Sequence, residues 1–259
     1  MEPSIQISTQ DGIYTIMFNR PAVFNSFNQE MGRAFQEALD GAAADHSVRC
    51  VIITGKGKAF CAGQDLKEVT APDAPDFNEI VEHTYNESIR RIRSIEKPIV
   101  AAVNGVAAGA GANIALACDL TVARHSAFFI QAFSKIGLIP DSGGTWFLPR
   151  LVGMQRAAAL TFLGDKLSAT EAETMGLIYR SVADADFDAE IGALTNRIAQ
   201  MPTRGLALTK RAFNLGWQAD LSDHLTTERD LQMEASRTHD YAEGVAAFLE
   251  KRSPQFKGL

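Results

Sequence analysis

Cysteine, histidine and basic residues are all sparse in this chain, and each scarcity argues against a class of chemistry. Three cysteines in 259 residues are an odd number without the spacing of a metal site, so we expect buried, reduced thiols. The five histidines are scattered, which argues against a metal centre or a Ser/His/Asp triad. Lys and Arg number 25 against 31 Asp and Glu, and the formal net charge of −6 argues against a nucleic-acid partner.

Long apolar runs and targeting signals are also missing. The longest apolar run, residues 99–118, is rich in Gly and Ala and contains Asn104 and Asn113, which indicates a tightly packed interior and not a membrane span. The N-terminus has no basic region followed by an apolar stretch, so no secretory signal peptide is expected. With 46% apolar residues, we expect an ordinary globular core in a cytoplasmic protein without a membrane partner.

Short strand and helix patterns alternate over the first two thirds of the chain, which predicts an α/β fold. A strand pair is expected at 5–8 and 13–18, around a turn at Gln10-Asp11-Gly12. Asn28 is expected to cap a helix that ends near Ala43. The other expected elements are strands at 48–54, 99–103 and 119–123, helices at 78–95 and 109–117, and a loop at 70–76.

Only helical patterns follow residue 186. Helices are expected at 188–200, 203–217, 222–237 and 240–250. Several of their apolar residues need a surface to pack against, and the pattern leaves a subunit interface and the chain's own core as equal alternatives. These residues are Leu225, Leu231, Met233, Tyr241, Val245, Phe248 and Leu249.

Two segments rich in glycine and alanine are candidates for a ligand site. Residues 59–66 follow a strand and a glycine turn, and residues 104–113 open a helix. Small residues permit close approach of a ligand, and free N–H groups at a helix start favour developing negative charge. One N–H from each segment, converging on a single oxygen, would form an oxyanion hole, although glycine-rich turns often serve packing alone. Neither segment matches a phosphate-binding P-loop or a dinucleotide fingerprint.

Asp141 lies between an apolar stretch that ends at Pro140 and the pair Gly143-Gly144. From this segment alone, the favoured interpretation is that Asp141 or Ser142 caps the short amphipathic helix that follows. The alternative is a catalytic carboxylate at the mouth of a pocket.

Taken together, these segments resemble the crotonase superfamily, also called the enoyl-CoA hydratase/isomerase family, over essentially the whole chain. The resemblance implies an α/β fold built as a crotonase-like spiral of ββα turns, residues 1–195, which binds acyl-CoA. It implies a C-terminal helical trimerisation region, residues 196–259, that also closes the pocket, and a homotrimer or a dimer of trimers. It implies no metal and no cofactor, since the CoA is part of the substrate. The signatures are Asn19-Arg20-Pro21, Asn25-Ser26-Phe27, residues 60–66 (FCAGQDL), residues 97–105 (KPIVAAVNG) and the Asp141 segment.

The resemblance also implies roles for individual residues. The backbone N–H groups of Gln64 and Ala110 would polarise the thioester carbonyl, and Asp141 would be the catalytic acid and base. Typical hydratases carry a glutamate pair at the positions of Asn113 and Phe133, so addition of water is poorly supported here. For Lys257 a solvated surface role is the favoured interpretation. The contacts expected with CoA or substrate are Val23, Phe24, Ala62, Gly63, Asp65, Leu66, Gly109, Phe133 and Lys257.

Within the superfamily, residues 132–141, 143–146, 148–150 and the tail 251–256 are most similar to the ring-epoxide isomerases of phenylacetate degradation. This resemblance implies conversion of a ring-epoxide acyl-CoA into a seven-membered oxepin thioester, with related double-bond shifts. The alternatives are an enoyl-CoA hydratase, a hydrolytic dehalogenase of the 4-chlorobenzoyl-CoA type with Asp141 as nucleophile, and a non-catalytic binding protein of the same fold.

Overall fold

Two β-sheets are built by successive turns of the chain in the computed structural model, which describes residues 2–259. The larger sheet has six strands in the order β1-β2-β3-β5-β7-β10, and the smaller has four in the order β4-β6-β8-β9. The strands are β1 Ile5–Gln10, β2 Ile13–Phe18, β3 Cys50–Gly55, β4 Ala59–Cys61, β5 Ile99–Val103, β6 Val106–Ala108, β7 Leu120–Arg124, β8 Phe128–Ile130, β9 Leu167–Ser168 and β10 Arg180–Val182.

Helices connect and cover these strands. A π-helical segment, Ile80–Asn86, joins α3 to α4, and 3₁₀ turns cover Pro21–Val23 and Ala132–Ile136. The helices are α1 Gln29–Ala44, α2 Leu66–Val69, α3 Phe77–Glu79, α4 Glu87–Ser94, α5 Ala110–Ala117, α6 Gly144–Val152, α7 Met154–Leu163, α8 Ala169–Thr174, α9 Phe187–Ala199, α10 Thr203–Gly216, α11 Leu221–Ala235 and α12 His239–Glu250.

Each turn of the chain adds one strand to both sheets. The pairs β3 and β4, β5 and β6, and β7 and β8 alternate between the larger and the smaller sheet, and strands of neighbouring turns pair in parallel. Parallel pairing requires a crossover between strands, which the intervening helices supply. This spiral of ββα turns confirms the fold that the sequence predicts.

The first hairpin follows directly from local sequence. Strands β1 and β2 pair antiparallel from Ile5 opposite Phe18 to Gln10 opposite Ile13. Asp11 and Gly12 have φ values of 50° and 77°, as a tight hairpin turn requires. Phe18 then enters the core, where its ring lies 5.2 Å from that of Phe27 between centroids.

Helix α1 shows how side chains complete the helix ends. The Asn28 side chain accepts a hydrogen bond from Met31 N–H at 3.0 Å, which confirms the predicted cap. At the other end, Lys97 Nζ donates to the carbonyls of Ala42 and Ala43, which have no partner inside the helix. A cation at this end also stabilises the helix, because it lies at the negative end of the helix dipole.

The four C-terminal helices lie where the sequence predicts them, within two residues at each end. Helix α9 packs on the larger sheet, with Phe187 and Ile191 against Ile52 and Val122. The predicted boundary between residues 195 and 196 lies inside α9, and the division into two regions stays a prediction. Of the seven apolar residues on α11 and α12 for which the sequence predicts a packing surface, Leu231 alone is partly buried. The chain's own core leaves the other six exposed, and Phe248 is 82% exposed.

The chain's two tryptophans lie in one cluster that joins α6 to the end of α10. The guanidinium carbon of Arg150 lies 3.5 Å from the ring centroid of Trp146 and 5.3 Å from that of Trp217. The two tryptophan rings are 5.8 Å apart between centroids. Stacking of this kind is stabilising because the ring face attracts a cation.

All three cysteines are buried and free of disulfides, in agreement with the prediction. Burial raises the pKa of the Cys50, Cys61 and Cys118 thiols to about 12, because the apolar surroundings disfavour a thiolate. Of the helices formed by residues 2–259, none is long and apolar enough to cross a membrane.

Candidate active site

A cavity of about 290 Å³ lies where the two glycine-rich segments meet Asp141. Among the described residues that line it, Asp141 and Lys135 alone carry charged side chains. Larger grooves of about 400 and 840 Å³ lie along the C-terminal helices, and none of the predicted site residues lines them. The lining residues are Ala62, Gly63, Gln64, Leu66, Val69, Phe77, Ile80, Val81, Tyr85, Ala108, Gly109, Ala110, Ala132, Phe133, Lys135, Ile136, Leu138 and Asp141.

The backbone at Gln64 is fixed by strand-like pairing with Phe27. Phe27 N–H donates to the Gly63 carbonyl at 2.7 Å, and Asp65 N–H donates to the Phe27 carbonyl at 2.7 Å. Successive N–H groups of an extended segment point to opposite sides, so Gln64 N–H points away from Phe27. It donates to no other residue between 2 and 259 and is therefore free for a ligand.

Helix α5 begins at the cavity. Ala110 is its first residue, so Ala110 N–H has no partner inside the helix. Gly63 has a φ of 89°, and a Cβ added to it would lie 2.9 Å from the Ala108 carbonyl oxygen and 3.6 Å from the Ala110 nitrogen. Only glycine tolerates this conformation and this approach. The two segments therefore meet, each with a free N–H group beside the cavity.

Asp141 lies in a tight turn before α6. Its carbonyl accepts hydrogen bonds from Gly144 N–H and from Asn113 Nδ2, both at 2.8 Å. Ser142 is buried in the left-handed region with a φ of 51°, and Gly143 occupies the N-cap of α6 without a side-chain hydrogen bond. The interpretation of Asp141 or Ser142 as a helix cap is wrong, because the left-handed Ser142 moves the helix start past both residues.

The Asp141 carboxyl is perturbed by its surroundings. Burial raises its pKa above the ordinary value, because the apolar cavity disfavours the ionised form. Hydrogen bonds from Ser142 Oγ, at 2.9 Å from Oδ1, and from the Asp141 backbone oppose this rise without cancelling it. A carboxylate with a raised pKa is a stronger base, which suits proton abstraction from carbon.

Asn113 and Phe133, the positions at which the resemblance places the hydratase glutamates, are both buried. The Asn113 side chain donates to the Asp141 carbonyl, and its Oδ1 accepts from Gln131 Nε2 at 2.8 Å. Since a carbonyl only accepts, these contacts fix which end of the Asn113 amide faces Asp141. Asn113 therefore braces the Asp141 turn, and Asp141 is the one carboxylate among the described lining residues.

The other predicted contacts divide into two groups. Ala62, Gly63, Leu66, Gly109 and Phe133 line the cavity together with Gln64, Ala110 and Asp141. Val23, Phe24, Asp65 and Lys257 do not line it, and their role in binding CoA stays a prediction.

Contacts elsewhere explain the positions of this second group. The Phe24 carbonyl accepts from Ala62 N–H at 3.0 Å, which places Val23 and Phe24 beside a lining segment. The Asp65 carboxylate is held by Arg20 at 2.8 Å and caps α2, so it is used within the fold. Lys257 is exposed, and its N–H donates to Asp240 Oδ1 at 2.7 Å near the start of α12.

Sequence reasoning missed the wall formed by the α3–α4 helix, which brings Phe77, Ile80, Val81 and Tyr85 to the cavity. The apolar spacing of Ile80, Val81 and Tyr85 in the segment predicted as helix 78–95 was the available signal, and Phe77 lies just before that segment. No feature of the sequence indicated that Lys135 lines the cavity. Residues 2–259 contain no group of three or more His, Cys, Asp or Glu side chains that could hold a metal ion.

Comparison with known proteins agrees with this geometry. Residues 8–259 match the family model described as enoyl-CoA hydratase/isomerase. The chain is 47% identical, across 96% of each chain, to 1,2-epoxyphenylacetyl-CoA isomerase from Escherichia coli strain K12. It is 42% identical, across 98% of each chain, to a Rhodobacter capsulatus protein named as a probable enoyl-CoA hydratase. The crystal structure of enoyl-CoA hydratase from Bacillus anthracis matches with a TM-score of 0.92 at 33% identity, covering 99% of this chain and 100% of that one. The chain therefore belongs to the enoyl-CoA hydratase/isomerase family, which includes enzymes that act on acyl-CoA thioesters.

Proposed function

We propose that this protein is an acyl-CoA isomerase that converts 2-(1,2-epoxy-1,2-dihydrophenyl)acetyl-CoA into the seven-membered oxepin thioester. The same chemistry would shift double bonds in related enoyl-CoAs. The observation that carries the proposal is a single cavity carboxylate, Asp141, beside two free backbone N–H groups, those of Gln64 and Ala110. The resemblance places the hydratase glutamates at Asn113 and Phe133, neither of which is a carboxylate. The 47% identity to 1,2-epoxyphenylacetyl-CoA isomerase supports the choice of substrate.

In this mechanism Asp141 removes a proton from the carbon next to the thioester carbonyl. Such a proton is far less acidic than a carboxylic acid, so the enolate must be stabilised as it forms. The N–H groups of Gln64 and Ala110 donate to the enolate oxygen in a cavity from which bound substrate displaces water. The raised pKa of Asp141 brings the base closer to the acidity of the carbon.

The proton then returns at another position. In the ring-epoxide substrate, the bond shared by the six-membered ring and the epoxide opens, and the enolate electrons extend conjugation into the ring. Asp141 delivers its proton to a ring carbon, so the product is an isomer and no water or cofactor is consumed. The rings of Phe77, Tyr85 and Phe133 give the cavity flat apolar walls that suit a cyclic acyl group.

Asp141→Asn tests this proposal. Asn is close to Asp in shape but cannot accept the proton, so we expect at least a roughly 10³-fold loss of kcat with the ring-epoxide thioester and with a simple 3-enoyl-CoA. The control is Asp188→Asn, the same change at a side chain that is 87% exposed, which should leave kcat unchanged. Full isomerase activity in Asp141→Asn would rule the mechanism out.

The same preparations separate the alternative reactions. A hydratase would remove the enoyl ultraviolet absorbance of crotonyl-CoA, and we expect little change. A hydrolytic dehalogenase would trap an ester on Asp141, which mass spectrometry of a single turnover would detect as an added mass. A proton shuttle leaves the mass of the protein unchanged.

We propose further that the exposed apolar side chains of α11 and α12 form the interface of a homotrimer or a dimer of trimers. Phe248 and Leu249 are 82% and 74% exposed in the single chain, which is costly for large apolar groups in water. Light scattering coupled to size-exclusion chromatography gives the mass of the assembly directly. A monomeric mass would contradict this proposal.

A further inference from the structure

The Gln64 side chain links the cavity to two helices through a chain of hydrogen bonds. Tyr85 Oη donates to Gln64 Oε1 at 2.8 Å, and Gln64 Nε2 donates to Glu68 Oε2 at 2.9 Å. The other oxygen of Glu68 accepts from Gln29 N–H at 2.9 Å, at the first turn of α1. Gln64, whose backbone N–H is free for a ligand, is therefore held by hydrogen bonds at both the oxygen and the nitrogen of its side-chain amide.

The chemistry of these groups fixes the direction of each bond. A glutamate carboxylate accepts hydrogen bonds, so the NH₂ end of the Gln64 amide must face Glu68. The amide oxygen then faces Tyr85, whose hydroxyl must donate to it. The Gln64 amide therefore has one stable orientation, and in it the Tyr85 hydroxyl proton forms the hydrogen bond to Gln64 Oε1.

Tyr85 is itself rigidly placed. Its side chain is 1% exposed, and its ring packs on Phe27 with the centroids 6.0 Å apart. The backbone of Phe27 also forms hydrogen bonds with Gly63 and Asp65, the residues on either side of Gln64. Tyr85 belongs to the π-helical segment Ile80–Asn86, an irregular winding that is often found at functional sites. Burial raises its pKa well above the ordinary value, so the hydroxyl keeps its proton.

We infer that Tyr85 is a positioning residue for the proposed reaction: its hydroxyl holds the Gln64 side chain so that the Gln64 backbone N–H stays aimed at the thioester oxygen. The inference rests on the proposed function, because this N–H matters most when negative charge develops on that oxygen. A small misplacement of an oxyanion donor weakens transition-state stabilisation more than substrate binding. Loss of the hydroxyl should therefore lower kcat and leave KM nearly unchanged.

The direct test is Tyr85→Phe, which removes one oxygen atom and keeps the ring. We expect kcat with the ring-epoxide thioester to fall about 10-fold, with KM changed by less than about twofold. Tyr14→Phe is the matched control, because Tyr14 is also a buried tyrosine but lies on β2 and does not line the cavity. It should keep the wild-type kcat.

A spectroscopic readout separates positioning from a general loss of structure. In 4-aminocinnamoyl-CoA the amino group is conjugated to the thioester carbonyl, so polarisation of that carbonyl by the two donors moves its absorbance to longer wavelength. We expect a smaller red shift with Tyr85→Phe than with wild type or Tyr14→Phe. Gln64→Met keeps the backbone N–H and the side-chain length but removes the side-chain bonds to Tyr85 and Glu68, and it should show the same reduced shift. Combining it with Tyr85→Phe should cause no further loss of kcat.

The outcomes distinguish this inference from the proposed function. A Tyr85→Phe protein with wild-type kcat and red shift would overturn the inference while leaving the isomerase proposal intact. Equal losses of kcat in Tyr85→Phe and Tyr14→Phe would also overturn it. A wild-type protein that shifts the probe absorbance but isomerises neither substrate would overturn the proposed function, and the red shift of the variants would then decide the inference alone.

Discussion

Replacing Asn113 with alanine is expected to cost both stability and catalysis. The substitution deletes two hydrogen bonds of a fully buried side chain, one to the Asp141 carbonyl and one from Gln131 Nε2. The first is worth about 1 kcal/mol, and loss of the second leaves Gln131 Nε2, on a buried residue, without an acceptor among residues 2–259, at a cost of about 1–3 kcal/mol. The free energy of unfolding should therefore fall by about 2–4 kcal/mol. At roughly 2–4 °C per kcal/mol for a chain of this size, Tm should fall by about 10 °C.

Catalysis should suffer separately, because the Asp141 turn loses one of the two bonds to its carbonyl. We expect kcat to fall about 10- to 100-fold at a temperature where the variant is fully folded. Thermal melting followed by circular dichroism gives Tm, and chromatographic separation of the substrate and product thioesters gives kcat. The control is Asn214→Ala, which breaks contacts between α10 and Arg93, far along the chain from the Asp141 turn. It should lower Tm without lowering kcat.

A refuting result is easy to recognise. If Asn113→Ala melts at a lower temperature but turns over substrate at the wild-type rate, Asn113 does not position the Asp141 turn. If Tm is unchanged, the hydrogen bonds assigned to Asn113 contribute nothing to folding.

Two further substitutions test the local geometry. Ser142→Ala removes the hydroxyl that lowers the Asp141 pKa, so the pKa should rise further. Because the base must be ionised, the acid limb of the kcat/KM profile should move to higher pH, and a move to lower pH would contradict the assignment. Gly63→Ala places a Cβ 2.9 Å from the Ala108 carbonyl at a φ of 89°, so kcat should fall about 10²-fold through displaced donors. Gly192→Ala, in open space on α9, should leave kcat unchanged, and equal activity of the two variants would contradict the role of Gly63.

Much of the fold could be predicted from local pattern. The Asp11-Gly12 turn, the Asn28 cap and the four C-terminal helices rest on interactions between residues close in sequence, which propensity and spacing describe well. The strands of the smaller sheet are different. Strands β4, β6 and β8 have three residues each, too few for an alternating pattern, and they exist because they pair with one another across the chain.

The candidate site was predictable in its backbone and less so in its side chains. The two glycine-rich segments and Asp141 meet at one cavity, as their motifs indicate. The cap interpretation of Asp141 failed because the left-handed conformation of Ser142 depends on burial and on the Asn113 bond, which are tertiary contacts. Tyr85 lies inside the predicted helix 78–95, but its role was missed because its hydrogen bond to Gln64 spans 21 residues and is a tertiary contact that local pattern does not predict.

The cluster of Arg150, Trp146 and Trp217 also determines what an optical experiment on this protein measures. Since these are the chain's two tryptophans, all of its indole fluorescence comes from one place, the junction of α6 with the end of α10. Emission recorded during denaturation therefore reports the separation of that junction directly. Helix α6 begins three residues after Asp141, so the same signal provides a built-in probe of events at the carboxylate without any added label.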